Sequence, residues 1–292
     1  MSDAVGHPAS DPASDPATEE LVRAALEEDL AGGVDVTSTA TVPAGQRAVG
    51  DLVARGDGVL AGLPVAQAVF RATTGGELEF RAKAADGDRV SAGDVLATVG
   101  GRTRELLCAE RTALNLLCRL SGVATATRRW VDAISGTGAV VRDTRKTTPL
   151  LRALEKYAVR CGGGENHRMS LSDAALIKDN HVAAAGGVAA AYRAVAAAFP
   201  GVPVEVEVDD VAGAVEAAEA GADLVLLDNF SVEDARRAVE AVAGRAALEV
   251  SGGLTLAAAR SYAATGVDYL AVGSITHSAP VLDIAFDLRE VW

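Results

Sequence analysis

VEVEVDDVAGAVEAAEAGADLVLLDNFSVEDARRAVEAVAGRAALEVSGGLTLAAARSYAATGVDYLAVG, residues 204–273, decides the fold of this chain. Four short apolar runs stand out in it: VEVEV at 204–208, LVLLD at 224–228, LEVS at 248–251 and YLAVG at 269–273. They end 20 to 23 residues apart, and helical patterns such as 211–220 and 232–242 lie between them. Buried strands alternating with helices at this spacing predict a parallel β/α sheet or barrel. Two earlier runs, AVV at 139–141 and ALI at 175–177, extend the pattern upstream. Polar residues sit where the strands end: Glu207, Asp228, Ser251 with Gly252 and Gly253, and Gly273 with Ser274. The carboxyl ends of the strands build the active sites of β/α barrels, so these residues are candidates for chemistry. The alternative for Glu207 and Asp228 is a structural pairing with lysines of the barrel.

Upstream, residues 142–181 read RDTRKTTPLLRALEKYAVRCGGGENHRMSLSDAALIKDNH and hold eight Lys/Arg against five Asp/Glu. The whole chain has 27 against 40, a net charge of −13, so cations are concentrated here inside an acidic protein. Arg145, Lys146, His167 and Arg168 flank turn-forming Thr, Pro, Gly and Asn rather than a helix face, and Lys178 follows. Cations gathered on loops near strand ends suit a multiply anionic substrate. Ser251-Gly252-Gly253 and Gly273-Ser274 offer backbone N–H groups next to expected helix starts, a cradle for phosphate. The pattern predicts a substrate with a phosphate at one end, further anionic groups at the other, and a centre that turns cationic near the carboxylates. A lysine beside a phosphate cradle is also the arrangement of a Schiff-base aldolase, but five cations exceed what a simple phosphosugar needs.

The rest of the sequence frames this site. Residues 1–18, with the near-repeat ASDPASDPA, are polar and Pro-rich without a signal-peptide pattern and read as a disordered tail. A helix is expected from Thr18, capped by that residue. Short alternating runs broken by Gly from about 42 to 104 predict a small antiparallel sheet. Residues 104–120 follow with helical periodicity, Leu107, Leu114 and Cys118 forming a stripe that contains Arg111. An Arg on an apolar stripe needs a partner: a carboxylate, a ligand or an adjacent subunit. Residues 182–199, mostly Ala, read as a buried helix too weakly apolar to span a bilayer. The segment 280–292 is apolar enough to dock on the N-terminal region. The expected division is therefore 19–125 together with 279–292, and 126–278. An acidic balance excludes general nucleic-acid binding. Three cysteines without a CxxC fit a reducing cytoplasm and support neither disulfides nor zinc.

Over nearly its full length after the tail the chain resembles the quinolinate phosphoribosyltransferase family. The resemblance is carried by EEDLAGGVDVTS at 27–38, AERTALNLLCRLSGVAT at 109–125, DTRKTTP at 143–149, GGGENHR at 162–168 and IKDNH at 177–181. VEVEV at 204–208, LLDNF at 226–230, SGG at 251–253 and VGSITHS at 272–278 complete it. One departure is Leu150, which follows Pro149 where the family usually has Gly. The resemblance implies a small N-terminal α/β sandwich followed by an incomplete, seven-stranded β/α barrel. It implies transfer of phosphoribose from phosphoribosyl pyrophosphate to quinolinate, with loss of carbon dioxide and with Mg2+ as cofactor, in NAD biosynthesis. From its composition the chain reads as cytoplasmic and soluble, without nucleic-acid or membrane partners, and the resemblance further implies a homodimer whose shared site receives Arg111 from the other subunit. Arg145, Lys146, His167, Arg168 and Lys178 would then bind the quinolinate carboxylates and phosphoryl groups, with Lys146 among the catalytic residues. Glu207 and Asp228 would serve the ribose and, through pyrophosphate, the metal. Ser251, Gly252, Gly253, Gly273, Ser274 and His277 would hold the phosphate end. A relative of the same fold with another acceptor is the nearest alternative.

Overall fold

The computed structural model describes residues 12–75 and 77–292. The first eleven residues of the expected tail therefore lie outside the described residues. Its remainder is ordered: Pro12–Ser14 forms a 3₁₀ turn and helix α1 already runs from Pro16 to Leu30. The cap is Asp15 and not Thr18, because Asp15 accepts the Ala17 N–H at 3.0 Å and Pro16 has no N–H to satisfy at the first helical position.

The chain divides into two compact units, one of residues 1–126, 160–162 and 279–292, the other of residues 127–159 and 163–278. In the first unit α1 is followed by α2 (Val36–Thr41), β1 (Arg47–Ala54), β2 (Gly58–Val59), α3 (Leu63–Thr74), β3 (Glu79–Ala82), β4 (Arg89–Val90) and β5 (Val95–Arg102). Helix α4 (Thr103–Ala133) continues thirteen residues past the expected end at 120 and runs straight through Gly122, where the backbone of Pro280 packs so closely that an added Cβ would lie 2.2 Å from its carbonyl oxygen. The second unit holds β6 (Val140–Arg142), α5 (Arg152–Cys161), β7 (Ala175–Ile177), α6 (Asp179–Ala185), α7 (Val188–Ala198), β8 (Val204–Val208) and α8 (Val211–Ala220). It continues with β9 (Leu224–Asp228), α9 (Val232–Val242), β10 (Ala247–Ser251), α10 (Ala259–Ala263), β11 (Tyr269–Ala271) and α11 (Ser274–His277). Strand β12 (Ile284–Val291) belongs to the first unit.

The first unit's sheet has the order β12-β1-β5-β3, all antiparallel, and the chain's last strand pairs along β1 from Ala48 to Ala54. Leu52, Leu96, Val99, Val69 and Phe70 are fully buried between this sheet and its helices. On α4 the buried stripe is Leu106, Ala109, Ala113, Leu117, Leu120 and Ala124. Of the expected stripe Leu114 is buried, but Leu107 and Cys118 are half-buried and Arg111 is exposed, because the core face centres one position over. A shift of one residue turns a helix by about 100°, enough to move a side chain from core to flank.

In the second unit every strand pair is parallel, in the order β6-β11-β10-β9-β8-β7. Strands β7, β9 and β11 carry near-continuous apolar runs, as expected of a parallel sheet covered by helices, whereas β8 alternates Val with Glu. The seventh strand position is reduced to a single parallel bridge between Arg142 and Glu165. The residues after Glu165, Asn166 and His167, are drawn instead into a buried polar cluster described below. The expected buried helix at 182–199 is two helices, α6 and α7, in which only Ala191 is buried. Gly186 and Gly187, at φ +83° and +140°, break it, since only Gly occupies the second of these without strain. Among the described residues no helix is long and apolar enough to cross a membrane.

Candidate active site

Loop residues after β6 and α5 make the cationic wall, and a buried ion pair holds both loops. Asp143 and Lys156 are fully buried and paired, and Asp143 also accepts Asn166 Nδ2 at 2.6 Å and the His167 N–H at 2.8 Å. Lys156 Nζ donates to the His167 carbonyl at 2.8 Å. Burial pushes the Asp143 carboxyl up and the Lys156 ammonium down, and their mutual contact opposes both shifts. The loop 144–151 is tied by Glu155, which accepts Thr148 N–H at 3.0 Å and its hydroxyl at 2.8 Å. Arg152 bridges that loop to the next, reaching Thr147 Oγ1 at 3.1 Å and the Met169 carbonyl at 3.0 Å. Leu150 keeps the left-handed backbone that Gly would take there, at φ +67°, with its side chain 90 % exposed.

A cavity of about 650 Å³ opens on this wall, with Arg145, Arg168 and Lys178 around it and Ala175, Ile177 and Ala194 on its apolar side. The Nε atoms of Arg145 and Arg168 are buried without a hydrogen-bond partner. Burial, then the neighbouring Arg145, pushes the Arg168 guanidinium below its ordinary pKa. Two cations held together with unspent donors form a site for an anion. Lys178 Nζ lies 2.5 Å from Glu207 Oε2, so Glu207 is paired with a lysine that itself belongs to the expected site.

The residues expected to hold phosphate lie at the ends of β10 and β11, with Asn229 beside them at the end of β9. A side chain at Gly273 would meet Lys146 Cδ at 3.1 Å and the His277 ring at 3.3 Å, so Lys146 and His277 converge over this glycine. The Thr276 hydroxyl donates to the Lys146 carbonyl at 2.8 Å. Gly252, at φ +86°, packs on Asn229, where an added Cβ would lie 2.2 Å from Oδ1. The Asn229 N–H donates to the Ser251 carbonyl at 2.9 Å, joining the ends of β9 and β10 beside Asp228. Gly273 leads straight into α11, a single turn, whereas the residues after Gly253 form loose turns and α10 begins only at Ala259. The expectation of a helix start beside Ser251 is thus corrected: two successive left-handed glycines turn the chain away from a helix there.

Arg111 lies on α4 in the first unit, exposed. Glu207 and Asp228 close the adjacent parallel strands β8 and β9. Asp228 Oδ2 accepts Asn229 Nδ2 at 2.7 Å, and each carboxylate spends one oxygen on its neighbour. Oxygen donors of this kind suit Mg2+, which is held by one or two carboxylates together with substrate phosphates.

Around His167 stand ionisable groups that escaped the sequence reading. Glu205 and Glu249 bring ligand atoms within 4.8 Å of the His167 ring and of one another, and Arg142 donates to Glu249 at 3.0 Å. Arg142 already supplies the positive charge a metal would bring, and His167 Nε2 is spent on Glu205 at 2.6 Å. The signal was present: Glu205 and Glu207 alternate on a buried strand, which places both on one face.

Comparison with known proteins shows the family. The family model described as quinolinate phosphoribosyl transferase, N-terminal domain, matches residues 35–121, and the C-terminal domain model matches residues 123–287. A nicotinate-nucleotide pyrophosphorylase [carboxylating] of Mycobacterium leprae is 52% identical over 273 residues, covering 92% of this chain and 96% of that protein. The crystal structure of NadC from Streptococcus pyogenes superposes with a TM-score of 0.89 at 42% identity, covering 94% of this chain and 96% of that one. The nicotinate-nucleotide pyrophosphorylase of Francisella tularensis gives a TM-score of 0.90 at 38% identity over the same shares. With the two domain models together matching most of the chain and relatives this similar over most of their length, the chain belongs to the quinolinate phosphoribosyltransferase family.

Proposed function

We propose that the chain transfers phosphoribose from phosphoribosyl pyrophosphate to quinolinate, giving nicotinate mononucleotide, pyrophosphate and carbon dioxide. The observation that carries this reading is the pair of guanidiniums, Arg145 and Arg168, with buried unspent Nε atoms around a cavity that also has an apolar side. Arg forks fix two carboxylates of a planar acid in one orientation, and the apolar side takes the ring. The ring nitrogen then attacks the anomeric carbon as its bond to pyrophosphate breaks. Positive charge grows on the sugar and negative charge on the leaving group.

Glu207 and Asp228 face the first of these charges, and Lys146 and Lys178 the second. Mg2+ bound to the pyrophosphate, with Glu207 and Asp228 as the protein's carboxylates, would neutralise the leaving group. Ser251, Gly252, Gly253, Gly273, Ser274 and His277 hold the phosphate of the sugar. Once the nitrogen is ribosylated it is cationic, so the neighbouring C–C bond gives its electrons to the ring, carbon dioxide leaves, and the ring carbon takes a proton. No protein nucleophile is needed. Arg111, exposed on α4, is the residue a second subunit would supply in a homodimer.

Pyrophosphate release, measured with phosphoribosyl pyrophosphate and Mg2+ and with quinolinate or nicotinate as acceptor, tests the reading. Release with quinolinate alone is expected. Release with nicotinate, or silence with both, would overturn it.

A further inference from the structure

His167 is gripped on every side. Its N–H and carbonyl are taken by Asp143 and Lys156, each at 2.8 Å. Ring Nε2 lies 2.6 Å from Glu205 Oε2, and ring Nδ1 accepts the backbone N–H of Arg168 at 2.8 Å. A ring whose Nδ1 accepts and whose Nε2 faces a carboxylate carries its proton on Nε2. Glu249, fully buried on β10, stands behind Glu205 with Oε1 at 3.6 Å from the same nitrogen. Its other oxygen accepts Arg142 Nη1 at 3.0 Å, and the Arg142 guanidinium lies 4.0 Å from the centre of the Tyr269 ring. Four strands thus contribute to the support of one imidazole.

Two influences meet on that ring. Burial lowers its pKa, while Glu205 and Glu249 raise it above the ordinary value. A second ring proton would cost the Arg168 N–H its acceptor. Glu249 is the alternative seat for the cluster's proton, since burial and the Glu205 charge push its carboxyl up to about 7.

We propose that Glu205 and Glu249 are positioning residues, which hold His167 as the Nε2–H tautomer so that Nδ1 anchors Arg168 and aims its guanidinium into the anion cavity. This rests on the reading of that cavity as the place of the quinolinate carboxylates. On this view His167 serves the substrate through the backbone of its neighbour.

The chain has four histidines, so long-range 1H–15N spectra of the full protein, labelled at histidine, separate the rings. Near neutral pH His167 is expected to show one protonated nitrogen and one acceptor nitrogen. Glu205→Leu removes the acceptor for Nε2–H. It is expected to mix the tautomers and to raise the KM for quinolinate roughly ten-fold while kcat changes less than about three-fold. Glu205→Gln keeps an acceptor oxygen and is expected to recover most of the KM. An imidazolium in the wild type, an unaltered ring in Glu205→Leu, or an altered ring with unchanged KM would each overturn the proposal. Should Glu205→Leu not fold, Glu249→Gln is put through the same spectra and kinetics. A wild type that never turns over quinolinate would defeat the functional reading alone, because the nitrogen spectra decide the tautomer without substrate.

Discussion

Replacing Lys156 by Met would leave Asp143 fully buried with no counter-charge, and the loss is expected to cost about 3–5 kcal/mol. Urea unfolding measures it, and a cost near zero would show that the pair is dispensable. Glu249 gives a pH-dependent prediction. Its carboxyl titrates at about 7 when folded against 4.5 ordinarily, so across that window the folded chain holds a proton the unfolded chain has released. The stability from this group is complete below the lower value and is lost as pH rises toward the upper one. Urea midpoints of the wild type are therefore expected to fall across the window relative to Glu249→Gln, and a constant difference would show that Glu249 does not titrate there. For the transfer step, Glu207→Ala and Asp228→Ala are expected to lose kcat more than quinolinate affinity, and unchanged turnover would remove them from the mechanism. At this scale the sequence exposes the loop cations, because charge on turns needs a reason. It hides Asp143 and Lys156, whose pairing is a contact between a loop and a helix that no local spacing encodes.

The loop after Pro149 keeps a glycine-like bend around a leucine, a conformation that costs a side-chain residue about 1–2 kcal/mol. Because the Leu150 side chain is almost wholly exposed, it returns little by packing. Leu150→Gly is expected to stabilise the protein by about 1 kcal/mol after the added freedom of the unfolded chain is subtracted. A lower melting temperature would show that the leucine makes a contact that outweighs the strain. Strands β8 to β11 were legible because their apolar runs recur with helices between them. The break between α6 and α7 was not, since a Gly pair inside an Ala-rich helical pattern leaves periodicity intact while the backbone departs from it. The same limit explains α4. Its heptad-like spacing admits two neighbouring stripes, and the choice between Leu106 and Leu107 as core is made by the sheet it packs on.

At the scale of the molecule, the proposed sharing of Arg111 between subunits predicts complementation. Mixed dimers of Arg111→Ala and Lys146→Ala chains, each inactive alone, are expected to recover part of the activity, since one of their two sites has every residue intact. No recovery in dimers verified by mass would count against an exchanged arginine. The switch between alternating short runs and recurring buried strands falls where the first unit gives way to the second, and the segment 280–292, expected to dock by its apolar character, contains β12. That strand pairs with β1, yet the whole second unit lies between them in the sequence. On the ribosome, β1 and β5 emerge early and must wait, one side of β1 unpaired, while the second unit is made. The first unit is therefore synthesised first and finished last, and a nascent chain stalled before residue 284 would present an open sheet edge to chaperones.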